Sequence, residues 1–404
     1  MPTLSSSVAK QLRHKVETTW GLAPGASGAQ LLRRVESTLG LSKDTYQSNE
    51  IRPDYQVADF RHGVRRVQGN IKGELSPGTY KDFIAAALRR DFTAVTAITG
   101  ASITIAGTGP TYTVTRAAGS FLTDGIKVGD VVRLSVGSFN AANLNKNLIV
   151  LSVVALVLTV MPLNGVALVA EGPIATSTVS LPGKKTYIPT TGHLDRSFSI
   201  EHWHSDTSLS ELYRGCKIST VDINLPSTGM AEINMGIIGA DVTTAASAYY
   251  TSPTAATSTG VAAAVGGVLI VNGAAVAICT GLSVKIDGSY GADAVIGSNA
   301  VPAIFAGVVK VSGQFTAYFQ DAVLRDNFIN EDEITLAIAL AVSPSAAADF
   351  VSVALPRIKL GSADRGDGDK GIIATFSFTA LYNSAGGAGT NSEQTTVSIQ
   401  DSQA

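Results

Sequence analysis

From Val57 to Leu75 apolar and polar residues alternate, the mark of a strand with one face buried, and the period then changes to that of a helix between Thr79 and Arg90. Phe83, Ile84, Ala87 and Leu88 share one face of that stretch, so a short helix is predicted to cover a sheet. Ser76 is placed to cap it, Pro77 to open its first turn, and Arg89 and Arg90 to complement its negative end. Strand patterns return at Asp195 to Trp203, Lys217 to Asn224 and Thr228 to Ile238. The second half runs through the same kinds of element. Strands are predicted at Val308 to Phe319, Ile334 to Val342, Val351 to Leu360 and Ile372 to Leu381, with a short helix near Asp321 to Asn327. Val268 to Val271 and Ala274 to Ile278 flank Asn272-Gly273, a pair that accepts the positive φ angles of a tight hairpin turn.

The two halves also share a motif. Gly63-Val64-Arg65-Arg66-Val67-Gln68-Gly69-Asn70-Ile71 returns as Gly307-Val308-Val309-Lys310-Val311-Ser312-Gly313-Gln314-Phe315, with glycines and valines in register. One unit used twice suggests ring or tube symmetry.

Between and around the copies the pattern changes. Residues 93–183 are rich in Thr, Val and Gly, with turn signals such as Gly129-Asp130 ahead of short apolar runs, and predict a small β-barrel or sandwich inserted after the first helix on the outer wall of an assembly. Leu148 to Ala170 is apolar enough to imitate a membrane span. Pro162, Asn164 and Gly165 interrupt it, however, and β-branched residues dominate, so buried strands are expected and no membrane. Residues 1–44 carry two weak helical patterns, Val8 to Trp20 and Gln30 to Leu39, on either side of a Gly/Pro break. They are expected to form an extended arm docked on a neighbouring copy, whose removal would leave soluble rings or monomers. Residues 241–264 are read as a linker and 385–404 as a flexible tail.

Thr45 to Phe92, with Ser48-Asn49-Glu50-Ile51-Arg52-Pro53, the Val67-Gln68-Gly69-Asn70-Ile71 strand and the Leu75-Ser76-Pro77-Gly78 approach to the helix, resembles the major tail tube proteins of long-tailed (siphovirus-type) bacteriophages. Ser197 to Glu201 and Gly229 to Asn234 resemble later strands of that family, and the likeness extends over most of the chain outside residues 93–183. The resemblance implies a mainly β fold: tandem tail-tube β-sandwich or barrel units, each with one short helix. The first unit would comprise residues 45–92 and 184–240, and the second 265–384. It further implies stacked rings that enclose a tape-measure protein and conduct DNA without binding it specifically. Tail terminator and distal tail proteins would be partners, with assembly in the bacterial host cytoplasm and a final place in the virion tail. Two units per chain favour trimeric rings with pseudo-six-fold symmetry, with a hexamer as the second choice.

Composition agrees with burial between copies. Of 404 residues 45% are hydrophobic and 15% charged, against about 25% charged in ordinary soluble domains. A net charge of -2 supplies no basic face for nucleic acid. The two cysteines, Cys216 and Cys279, make no disulfide framework. Lys10, Arg13 and Lys15 stand where a secretory signal would be apolar.

The candidate chemistry is sparse. His202 and His204 would face one side of a strand, and with His193 or Asp195 could form the zinc site of a hydrolase, one alternative function. Asp364, Asp367 and Asp369 lack the remaining positions of a calcium loop, Arg365-Gly366-Asp367 is a tripeptide too common by chance to carry weight, and the other alternative function is a β-sandwich surface adhesin. No nucleophile elbow, catalytic carboxylate pair or phosphate-binding loop is present, so neither catalysis nor a cofactor is expected. Arg52, Arg61, Arg65, Arg66 and Glu74 are the candidate interface residues. The arginines are expected to form salt bridges between subunits, with Glu50, Asp54, Asp59 and Glu74 as partners. Glu331-Asp332-Glu333 reads as a solvated loop, or as a phosphate-repelling patch if it faces a lumen.

Overall fold

The alternating segments assemble into one antiparallel layer of eight strands: β1 (Gly40–Gln47), β2 (Phe60–Glu74), β3 (Leu209–Leu225), β4 (Glu232–Gly239), β5 (Cys279–Asp287), β6 (Lys310–Tyr318), β7 (Phe350–Leu360) and β8 (Ile373–Ala380). Across the layer they run β1-β2-β4-β3-β5-β6-β8-β7. The structure, a computed structural model, describes residues 4–276, 278–318, 323–366 and 371–404. It is mainly β, as the sequence predicts.

The order of neighbours repeats. β1-β2-β4-β3 has the same connectivity as β5-β6-β8-β7, and the recurring glycine motif lies on β2 and leads into β6, each strand followed in sequence by a helix, α1 (Lys81–Leu88) or α2 (Val323–Ile329). The sequence expectation for the second helix begins within residues 319–322, which lie outside the described residues. The repeated glycines have a packing reason. A Cβ on Gly69 would meet the backbone of Thr38 and Leu39, and one on Gly313 would meet the Ser283 carbonyl and the Phe378 ring, so in both units the glycine strand lies too close to its neighbours for a side chain. Gly313→Ala should therefore cost about 1–3 kcal/mol or more, seen as a lower thermal midpoint; an unchanged midpoint would contradict this close approach.

One face of the layer is apolar and buried. Ile71, Met235, Val221, Val284, Phe315 and Phe376 meet a second layer that contains α1, the strands Phe198–His204 and Ile334–Ala341, and the first half of β7. Phe315 and Phe376 stack at 5.1 Å across β6 and β8. The Asn272-Gly273 hairpin forms as expected, with φ of 48° and 75° at its two central residues.

Residues 98–180 form a closed six-stranded barrel, Ile98–Ala106, Tyr112–Arg116, Val131–Ser135, Leu148–Val153, Val157–Pro162 and Glu171–Ser180, with its own core around Phe121, Leu134 and Val150. The apolar run from Leu148 is a hairpin of this barrel, and its first reversal falls at Val154 to Leu156, ahead of the Pro162-Asn164-Gly165 interruption. Although the barrel leaves the first unit after α1, its outer surface packs on the second: Val131, Ile149 and Met161 touch Ile270, Ala339 and Phe350.

Four local expectations are corrected. Val8 to Trp20 and Gln30 to Leu39 are not helices; Lys10–Val16 is a strand paired along Phe198–His204, and Gln30–Leu31 and Glu36–Ser37 are short strands. A partner edge outweighs the propensity of stretches too short to hold a helix alone. Helix α1 starts after Tyr80, three residues beyond Pro77, and Ser76 bonds the Thr79 hydroxyl instead of capping the helix. The Gly78 N–H is instead taken by Asp401, which fixes the turn ahead of the helix. Residues 385–404 are no loose tail, because Ser398–Asp401 is a strand between Lys184–Tyr187 and the first half of β7, with Val397 and Ile399 fully buried. Within 241–264, Asp241–Ala245 pairs with β3, and Tyr250 is buried against Ala29 and Leu212.

Candidate functional site: a polar face and two open edges

The face of the eight-stranded layer turned away from the core is polar. In the first unit Gln68, Asn70 and Lys72 of β2, Asp222 and Asn224 of β3, and Glu232 and Asn234 of β4 lie on it, with Glu36 and Thr38 completing a shallow recess of about 400 Å³. Lys72 and Glu232 pair at 3.0 Å. Asp222 stands opposite Lys285 in the ladder; burial pushes its carboxyl up, and Lys285 pulls it back. The second unit offers mainly hydroxyls and amides at the same positions, with Ser312, Gln314 and Thr316 on β6 and Thr375, Ser377 and Thr379 on β8. Among the described residues the charges on this face nearly cancel, with no run of cations to hold phosphate.

The layer ends in two edges. β1 pairs with β2 on one side, and its other side carries no paired strand among the described residues. At the far end the segment from Gly361 to Asp364 continues β7 alongside β8, with the Gly361 N–H donated to Ser377 and Asp364 opposite Thr375. Its outer side likewise carries no paired strand among the described residues. Between these edges the two units meet at β3 and β5, where Asp222 faces Lys285 and Ile223 faces Val284.

The candidate arginines are all paired within the chain. Arg52 meets Asp54 and Arg61 meets Asp59, each at 2.8 Å, within one chain where bridges between subunits were expected. Arg65 meets Asp241 and Arg66 meets Asp44 at 2.8 Å; these partners lie on other strands and are invisible to a local reading. Glu74 is exposed at the end of β2, opposite Glu232. The loop between β1 and β2 exposes Ile51 and Tyr55 almost completely, and the loop between β5 and β6 does the same with Ile296. Apolar side chains in a loop follow no period, so nothing in the sequence marks these three as exposed.

His202 and His204 do share a side, where both approach the Glu211 carboxylate at 3.7 and 3.8 Å. His202 is also bonded to the Ser37 hydroxyl and His204 to Ser5, while Asp195 accepts from Lys217. Burial pushes the His202 imidazole below its usual range. No group of His, Cys, Asp or Glu that could hold a metal occurs among the described residues. Asp367, Asp369 and the end of Arg365-Gly366-Asp367 lie outside the described residues. Glu333 pairs with Arg357 at 2.5 Å and Glu331 approaches Lys359 at 3.9 Å, so the acidic run is part of an exposed ion-pair group. Cys216 and Cys279 are free thiols, both pushed up by burial.

Two equivalent units share one sheet, which has a polar face and, at each end, a strand whose outer side is unpaired among the described residues. The model of the phage tail tube protein family matches residues 8–380, and the chain belongs to that family. It is a structural component of a virion tail, of a kind that self-assembles into a tube. None of the curated proteins compared with the chain matches it.

Proposed function

We propose that three copies close into a ring by pairing β1 of one copy with the Gly361–Asp364 edge of the next, and that stacked rings form the channel for a tape-measure protein and then DNA. The observation that carries this reading is the junction of β3 with β5, which is already a unit-to-unit contact of the required kind. Its register transfers to the open edges. Gly40 pairs with Gln68 as Lys285 pairs with Ser312, and the repeat aligns Gln68 with Ser312, so Gly40 is the counterpart of Lys285. Asp222 pairs with Asn234 as Asp364 pairs with Thr375, so Asp364 is the counterpart of Asp222. Asp364 of one copy then faces Gly40 of the next, as Asp222 faces Lys285 within the chain.

Closure pairs both open ends of the eight-stranded layer. Three eight-stranded layers make a barrel of about 24 strands, wider than the roughly 16–18-stranded barrels that already hold an aqueous channel. At about 4.8 Å between strands and a tilt near 40°, it spans about 45–50 Å between backbones. The polar face lines the lumen, where hydroxyls, amides and balanced charges let DNA pass without being held. The loops that expose Ile51, Tyr55 and Ile296 meet neighbouring rings, and Arg52, Arg61, Arg65, Arg66 and Glu74 lie close to these contacts. Tail terminator and distal tail proteins would cap the stack, which forms in the host cytoplasm. A true hexamer would need each copy to use one unit for the lumen and to leave the other outside the ring, against the continuity of the sheet from β1 to β7.

Electron microscopy of assembled tubes with rotational averaging tests this. Inner density repeating six times around the axis, with an outer barrel repeating three times, is expected; six outer barrels per ring would reject the trimer.

A further inference from the structure

Where the barrel joins the tube units, three segments distant in sequence bring together Asp130 and Lys185, both out of solvent, and the partly exposed Glu393. Asp130 ends the turn before the barrel strand Val131–Ser135, Lys185 lies on Lys184–Tyr187, and Glu393 comes from the C-terminal segment. The Lys185 Nζ lies 2.6 Å from Asp130 Oδ1 and 2.9 Å from Glu393 Oε1, and the Lys185 and Asp130 side chains are 4% and 3% exposed. The Asp130 Oδ2 accepts the Lys127 backbone N–H at 2.8 Å.

We propose that this is an autocatalytic cross-linking site, at which Lys185 and Asp130 condense to an amide that locks the base of the barrel. The arrangement supplies each part of the reaction. The amine touches one oxygen of the carboxyl group it would attack and is held there by the fold, so the two groups meet within one molecule without a bimolecular encounter. The other oxygen, Oδ2, faces a backbone donor that stabilises the negative charge of a tetrahedral intermediate. Glu393, in contact with the nucleophile, accepts a proton from the attacking nitrogen and returns it to the departing oxygen.

The reacting form is the neutral pair, amine and carboxylic acid, reached by moving one proton across the 2.6 Å contact. Burial pushes the Asp130 carboxyl up, which favours that form. Burial also works against the Lys185 ammonium, although the two carboxylates together outweigh it. The nearby Lys127 ammonium is occupied by the Gly387 and Thr390 carbonyls. The Nζ–Cγ bond forms, the Cγ–Oδ1 bond breaks, and Oδ1 leaves as water with one proton from the acid and one from the amine. No oxidant or other reactant is consumed.

The product would close the chain from Asp130 to Lys185, a loop that contains four of the six barrel strands, and so staple the barrel at its base. Denaturing intact-mass spectrometry of the purified full-length chain tests this directly. The wild-type chain is expected to be lighter than its sequence by one water, and its proteolytic digest to contain the Asp130 and Lys185 peptides joined. Lys185→Arg is expected at full sequence mass, and Glu393→Gln at full mass after the time in which the wild type has condensed. A wild-type chain that keeps its full sequence mass on storage would overturn the proposal, as would a one-water loss that persists in Lys185→Arg.

Discussion

A chain lacking residues 1–40 is expected to fail to fold, where an arm docked only on a neighbour would leave soluble rings or monomers on its removal. The segment completes its own chain's core: Leu12, Ala29, Leu32 and Leu39 are buried in it. Burying a leucine contributes about 1.5–3 kcal/mol, so three of them together approach the roughly 5–15 kcal/mol by which a whole domain is stable. Polar losses add to this. Glu17 accepts the Ser197 and Ser199 hydroxyls and the Gly215 N–H, and Arg13 is the salt-bridge partner of the fully buried Glu201. Deletion also bares seven residues of the Phe198–His204 edge. Circular dichroism and thermal melting of the truncated chain check the expectation. A soluble product with a cooperative melt close to the full-length value would refute it. Leu12→Ala, a milder probe, should cost about 2–5 kcal/mol.

The repeated unit was legible because its signals are local: the period-two pattern of β2 and β6, the glycine motif they share, and a helical stretch after each. The Asn272-Gly273 hairpin was legible for the same reason. What depends on pairing at a distance was not. Lys10–Val16 has no strand-like alternation of its own and becomes a strand because Phe198–His204 offers it an edge. Val397-Ser398-Ile399-Gln400 does alternate, but it follows a run of Gly, Ser and Thr that pointed to a tail, and its fate is set by two distant strands. In the same way Arg65 and Arg66 were recognisable as pairing residues, while Asp241 and Asp44 were not recognisable as their partners. The open edges were least legible of all, since an unpaired strand differs from a paired one only in what is missing beside it.

The proposed ring requires the junction of β3 with β5 to be repeated between copies, and a cysteine pair reads that contact directly. A Cβ on Gly40 finds only ordinary contact, and Asp364 is exposed, so Gly40→Cys and Asp364→Cys can be combined in one chain without disturbing the fold. Directly opposed residues in an antiparallel ladder have Cα atoms about 4.5–5.5 Å apart, within the range a disulfide bridges. In assembled tubes, mild oxidation should convert the double variant, but neither single variant, into a covalent ladder that ends at the closed trimer on a non-reducing denaturing gel. A ladder that ends at six, or tubes in which the two cysteines stay reduced, would contradict the trimeric ring.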